Sequence, residues 1–239
     1  GPSEALHEEL RQIKGSFKKT IKGIRHLKEA GIKDIQIIMC LWRKNAPFLK
    51  EMVSLAKDLG AVSLKINPII SSCHRADKMG EEMMLLSVKE IMRQYQLLLP
   101  EIIKGGFTIN FDFPPALLSM DDLKKNKLCS CNIKNLLGII ADGKISICGI
   151  GKTIDKLVLG KVGRDNIKDI WENSPILKLI REDIPGKMKG VCGKCMFKSS
   201  CLGKCRAEVF YDAEDLLAPF SICQEAYEQG FFPESRLMP

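Results

Sequence analysis

No run of apolar residues in this chain reaches the roughly 18 that a membrane-spanning helix requires, and no signal peptide is present. A helical membrane protein is thereby excluded, and the expectation is a soluble, cytoplasmic chain with no membrane partner. Aromatic residues are scarce, at 6%, and form no ladder among the basic residues. Nucleic acid is not an expected partner on that ground. No internal repeat or low-complexity tract appears. Predicted strands are too few to close an eightfold barrel.

What is present suits a globular protein. The 239 residues suffice for one large domain or two modest ones, and 45% apolar with 28% charged residues is ordinary. The net charge of +8 is uneven: residues 1–128 hold 21 basic and 15 acidic residues, against 16 and 14 in residues 129–239. That excess could suit an acidic peptide, although scattered basic residues read more simply as a solvated surface.

The first part alternates helices with short apolar strands. Helices are predicted over 16–31, 47–59 and 87–103, the last capped by Ser87 and kinked at Pro100. Buried strands are predicted over 34–41, 62–70 and 107–112. This order indicates βαβ units and a parallel sheet, an α/β fold. Near residue 126 the texture changes. Residues 136–148 read as a hairpin around Asp142-Gly143. An amphipathic helix over 166–181 directs Ile167, Ile170, Trp171, Leu177 and Ile180 inward. A cysteine-rich loop follows, then a helical stretch near 221–229.

Ten cysteines stand out by their placement. Cys40 and Cys73 stand alone; Cys40 reads as a core residue and Cys73 as a loop residue with a possible substrate role. The other eight run Cys129-x-Cys131, eleven residues, Gly143-x4-Cys148, a 43-residue gap, Cys192-x2-Cys195-x5-Cys201-x3-Cys205, a 17-residue gap, and Cys223. Two intervening residues put both thiolates of Cys192 and Cys195 on one turn, aimed at one metal centre. A [4Fe–4S] cluster takes four thiolates, so eight fit two clusters. Two four-cysteine zinc sites would use the same number, although zinc ribbons pair one Cys-x2-Cys unit with a matching one and only one occurs here. Disulfides are the third reading.

This spacing resembles the SPASM group of radical SAM enzymes, which mature ribosomally made peptides, sulfatases and peptide cofactors. The family pattern is Cys, nine to fifteen residues, Gly-x4-Cys, a gap, Cys-x2-Cys-x5-Cys-x3-Cys, a gap, and Cys. Leu202-Gly203-Lys204-Cys205-Arg206-Ala207 also looks like the family's Gly-Gly-Cys-Arg-Ala run, with Lys204 replacing one Gly. The resemblance implies two interleaved auxiliary [4Fe–4S] clusters. Cys192, Cys195, Cys201 and Cys223 would hold the second; Cys131, Cys148 and Cys205 would hold the first, with Cys129 the candidate fourth ligand.

Residues 1–128 resemble the second half of a radical SAM partial (β/α) barrel. The implied domains are this half-barrel, a SPASM domain over 129–226 with a β-hairpin and short helices, and a tail at 227–239. The family's Cys-x3-Cys-x2-Cys, which binds S-adenosylmethionine through a further cluster, does not occur in the sequence. S-adenosylmethionine and a third [4Fe–4S] cluster are therefore expected only in a full-length protein, as is hydrogen abstraction from a peptide. Whether this chain itself is an enzyme is left open by that motif. Asn45, past a strand end, and Arg75 are the candidate cofactor contacts; Asn45 also suits a turn, and His74 shares Arg75's ambiguity. The implied partners are a ribosomal precursor peptide and a reducing electron donor. The alternative is a non-catalytic electron-transfer or peptide-binding module. In sulfatase-maturating relatives an aspartate follows the Gly-x4-Cys cysteine and serves as a base; here Gly149 follows Cys148.

Overall fold

A computed structural model describes residues 1–70, 80–125 and 131–238. These fall into two compact units. One holds Gly1–Phe113 and the segment beginning at Ser119; the other holds Pro114–Leu118 and the C-terminal remainder. The second unit therefore includes residues upstream of the expected boundary at 129 and those expected as a tail. Among the described residues no helix is long and apolar enough to cross a membrane.

In the first unit α1 (Glu4–Arg11) and α2 (Ser16–Glu29) precede β1 (Gln36–Leu41). Then come α3 (Leu49–Asp58), β2 (Ser63–Pro68), the short α4 (Glu81–Met84), α5 (Val88–Lys104), β3 (Thr108–Phe111) and α6 (Met120–Lys125). The three strands form a parallel sheet in the order β1-β2-β3, with Met39 opposite Ile66 and Ile66 opposite Phe111. Parallel strands need a covering helix at each crossover. The buried stripes Leu49, Met52, Val53 and Ala56 of α3, and Val88, Ile91, Tyr95, Leu98 and Ile102 of α5, supply that cover. Ser87 and Glu90 form a reciprocal capping box at the start of α5, and the helix runs through Pro100.

Strand β1 is not buried on both sides as its composition suggested. Its side chains alternate: Met39 and Leu41 are buried, while Ile38 is 58% exposed and Cys40 is exposed. Cys40 is thus not a core residue. Its neighbours across the register on that side are polar or half-buried, with Asn67 opposite Cys40 and Lys65 opposite Ile38. Only one face of this sheet is apolar, and a period-two pattern hides inside the run Ile-Ile-Met-Cys-Leu. In α2 the stripe Phe17, Ile21 and Ile24 is half-buried and Leu27 is exposed.

The second unit opens with a small antiparallel sheet of β4 (Gly138–Ile139), β5 (Lys144–Ser146) and β6 (Val158–Lys161), in that order. The β4–β5 loop is closed by Gly143 N–H donating to Ile140 C=O at 2.8 Å, and Asp142 accepts from Lys144 N–H at 3.1 Å. Gly143 has φ +83°, which a Cβ would resist. The helix predicted over 166–181 is two helices, α7 (Ile167–Asn173) and α8 (Pro175–Glu182). Proline lacks the N–H that would continue α7, and it pushes Ser174 to an extended ψ of 123°. Pro175 instead takes the first position of α8. The break rotates Ile167 out to 42% exposure, while Ile170, Leu177 and Ile180 stay buried and Trp171 is half-buried. Four short helices complete the unit: α9 (Gly190–Lys194), α10 (Lys198–Cys201), α11 (Arg206–Ala213) and α12 (Ser221–Glu228).

Candidate metal centre

Each of the helices α9 to α12 carries or abuts a cysteine. Cys192 lies in α9 and Cys195 just past its end; Cys201 closes α10; Cys205 caps α11; Cys223 lies in the first turn of α12. Cys148 follows the β5 strand, and Cys131 precedes a 3-10 turn at Ile133–Asn135. None of the eight cysteines among the described residues is disulfide-bonded.

The thiols gather into two sets. Cys192, Cys195, Cys201 and Cys223 line one small pocket with Met188, Val191, Phe197 and Phe232, a cavity of about 20 Å³ that is partly open to solvent. Cys131, Cys148 and Cys205 lie within electrostatic reach of one another. Cys129 and Arg75 lie outside the described residues, as do Cys73 and His74. Among the described residues no group of three or more His, Cys, Asp and Glu converges on a single-ion site.

Backbone amides point at several sulfurs. Phe220 N–H donates to Cys192 Sγ at 3.4 Å, Phe197 N–H to Cys195 Sγ at 3.4 Å, and Gly151 N–H to Cys148 Sγ at 3.3 Å. The chain after Cys201 makes three left-handed steps, at Leu202, Gly203 and Lys204, with φ of +53°, +69° and +62°. This run turns the amides of Gly203 and Lys204 back onto Cys201. Lys204 here adopts a left-handed conformation costing roughly 1 kcal/mol in a residue with a Cβ.

Burial dominates the thiol acidities. It pushes Cys131, Cys192, Cys195 and Cys201 up, Cys205 up to about 11, and Cys223 well above the ordinary thiol value, with neighbouring thiols adding to the rise in Cys131, Cys195, Cys201, Cys205 and Cys223. Hydrogen bonds from amides oppose it. A cationic centre is what would reverse this balance, because it makes every thiolate favourable at once.

The residue that sequence reasoning passed over is Arg206. It is 1% exposed, among the most buried side chains of the unit. Its guanidinium donates to Leu216 C=O at 3.0 Å, to Ala218 C=O at 2.9 Å and to Gly203 C=O. Its Nε is buried and lacks a partner. The signal was in the sequence, in the Cys205-Arg206 pair, but nothing there placed the side chain between the two thiol sets. Both sets suit an iron–sulfur cluster: soft thiol donors, amides aimed at sulfur, and an orphaned cationic donor among them.

Asn45, the other proposed cofactor contact, is fully buried. Its Oδ1 accepts from Trp42 N–H at 2.9 Å and its Nδ2 donates to Cys40 C=O at 2.9 Å, which ties off the turn after β1.

Comparison with known proteins agrees with this cysteine arrangement. Residues 129–196 match the family model described as SPASM, iron-sulfur cluster-binding domain. The chain carries a SPASM domain and resembles radical SAM proteins along most of its length. It is 25% identical over 244 residues to an AdoMet-dependent heme synthase of Oleidesulfovibrio alaskensis, covering 93% of this chain and 59% of that protein. It is 24% identical over 248 residues to the mycofactocin maturase MftC of Mycolicibacterium smegmatis, covering 95% and 56%. In fold it is similar to anSMEcpe with bound AdoMet, with TM-score 0.63 at 18% identity over 89% of this chain and 58% of the other. It is also similar to SuiB of Streptococcus suis bound to its precursor peptide SuiA, with TM-score 0.59 at 14% identity over 87% and 48%. The chain thus spans little more than half the length of these two curated relatives.

Proposed function

We propose that this chain is the C-terminal part of a radical SAM/SPASM enzyme, and that it holds two auxiliary [4Fe–4S] clusters for radical modification of a ribosomally made peptide. The observation that carries the reading is the gathering of seven cysteines into two sets, one of them lining a single pocket. A zinc ion draws its sulfurs to about 2.3 Å from one centre, whereas a cluster needs space between them. Cys192, Cys195, Cys201 and Cys223 would hold one cluster, and Cys131, Cys148 and Cys205 the other, with Cys129 as its candidate fourth ligand. When bound, such clusters supply one-electron chemistry and an iron site for substrate. The protein's own contribution is to aim amides at the sulfurs.

A peptide substrate is supported by the maturase relatives and by the likeness to SuiB with its precursor peptide. In this reading residues 1–128 are the second half of the partial barrel, S-adenosylmethionine and a third cluster belong to the full-length protein, and Asn45 and Arg75 remain candidate contacts to that cofactor. The heme synthase relatives favour a second reading, in which the full-length protein acts on a heme precursor.

The metal test is direct. Protein prepared anaerobically with iron and sulfide is expected to be brown and to bind about eight irons per chain. A colourless protein with two zinc ions would refute the cluster reading. The substrate test sets the full-length enzyme against peptides encoded beside its gene and against heme precursors, with products read by mass spectrometry.

A further inference from the structure

Arg206 presents an electrostatic imbalance. A fully buried guanidinium is costly unless a negative charge compensates it. Its three donations go to neutral carbonyls, of Gly203, Leu216 and Ala218. It forms no ion pair with a carboxylate among the described residues. Its charge is felt by thiols of both sets, Cys192, Cys201 and Cys223 of the pocket and Cys205 and Cys131 of the other group, and by the half-buried Asp215, whose carboxylate is itself paired with Lys189. The side chain is also fixed in place. A Cβ at Gly203 would stand 2.4 Å from its Nη2, so the turn before Cys205 is shaped around it. What remains is Nε, buried and without a partner.

We propose that Arg206 is a positioning residue that serves both auxiliary clusters at once, as their shared counter-cation and as an Nε–H donor to cluster sulfur. The inference rests on the iron–sulfur reading given above. Thiolates around an iron–sulfur core leave the site net negative, and uptake of one electron adds one further negative charge. A fixed cation beside the site favours that uptake, and so does a hydrogen bond to sulfur. Placed between two sets, one guanidinium raises both reduction potentials together, so neither cluster is tuned independently of the other.

The experiment is an EPR-monitored redox titration of the reconstituted chain, with dithionite as reductant, on wild type, Arg206→Met and Arg206→Lys. Iron content is measured first. Wild-type protein that takes up no iron refutes the cluster reading itself. With iron retained, Arg206→Met is expected to move both midpoint potentials to more negative values, and Arg206→Lys, which keeps the charge, to move them less. Unchanged midpoints in Arg206→Met, or a shift in one cluster alone, would overturn the shared role. Should Arg206→Met fail to load iron, wild-type protein with 15N-labelled arginine answers the question by pulsed EPR of the reduced clusters. A 15N coupling that survives Arg236→Lys is expected, the control being needed because Arg236 lies over the Phe197 ring and acts on Cys195; no such coupling would overturn the proposal.

Discussion

Gly138 lies directly against the backbone of Cys148: a Cβ on the glycine would stand 2.9 Å from the Cys148 carbonyl carbon and 3.1 Å from its Cα. The two residues belong to paired stretches of one hairpin, where Gly138 sits opposite Ser146. Backbone cannot yield as a flexible side chain can. Gly138→Ala is therefore expected to displace Cys148 and to spare the pocket formed by Cys192, Cys195, Cys201 and Cys223. Anaerobic reconstitution should fall from about eight irons per chain to about four. Full loading of Gly138→Ala would show that Cys148 tolerates the shift or is not a ligand.

The opposite half of the metal content should depend on the C-terminal segment. Leu237 bridges to Cys195 in antiparallel fashion, Met196 N–H donates to Arg236 C=O at 2.9 Å, and Met238 N–H donates to Lys194 C=O at 2.8 Å. Arg236 also lies over the Phe197 ring, 5.4 Å from its centroid. These contacts hold down both sides of Cys195, and Phe232 closes the same pocket. A chain ending at Gly230 is expected to lose the cluster of the Cys192 set and keep the other. Cys195→Ala should match it in iron content, and a truncated chain that loads fully would show the segment to be dispensable.

Tyr95 offers a stability measurement in the first unit that no metal can confuse. Its hydroxyl donates to Asp122 Oδ2 at 3.0 Å and accepts from Ser119 N–H at 2.8 Å, all in a buried setting. Burial pushes its pKa up to about 12. Tyr95→Phe strands both partners and should cost about 1–3 kcal/mol. The raised value means that the folded state holds the phenol proton more tightly than the unfolded one. The tyrosine's contribution is fully present below about pH 10 and is lost as pH rises through about 12. Urea titrations should therefore show the gap between wild type and Tyr95→Phe closing across that window. A gap independent of pH would place the benefit elsewhere than in the phenol.

Much of this arrangement was legible because metal ligands constrain sequence by count and spacing. Cys192-x2-Cys195 fixes two thiols on one turn whatever surrounds them, and Asp142-Gly143 carries its own backbone geometry. The parallel sheet was legible from helices alternating with apolar runs. The misreadings arise where packing decides. Ile38 and Cys40 sit in an apolar run, yet one face of the sheet is polar, so the run is half exposed. Pro175 was inside an otherwise continuous amphipathic stripe, and the stripe concealed the stop. Arg206 was least legible, because spacing along the chain gives no sign that a charged side chain turns inward between two sets of thiols.

The last prediction concerns Gly149, which follows Cys148 where sulfatase-maturating relatives place a basic aspartate. Glycine offers no group to accept a proton, and general-base catalysis needs one within hydrogen-bond reach. Asp142 is engaged in the hairpin turn, where it accepts from Lys144 N–H. Asp155 lies seven residues beyond Cys148, at the start of a separate 3-10 turn. The space beside Gly149 is open: a Cβ there meets no heavy atom within 4 Å. The missing side chain is thus a chemical absence and not a packing requirement. Gly149→Asp is expected to fold and to load iron as wild type does. The full-length enzyme, with Gly149 in place, is expected to leave a sulfatase-motif peptide unconverted while modifying a different substrate. Mass spectrometry for formylglycine decides the point: efficient conversion by the unaltered enzyme would show that another residue supplies the base, and loss of iron in Gly149→Asp would show that the open space is occupied once the clusters are in place.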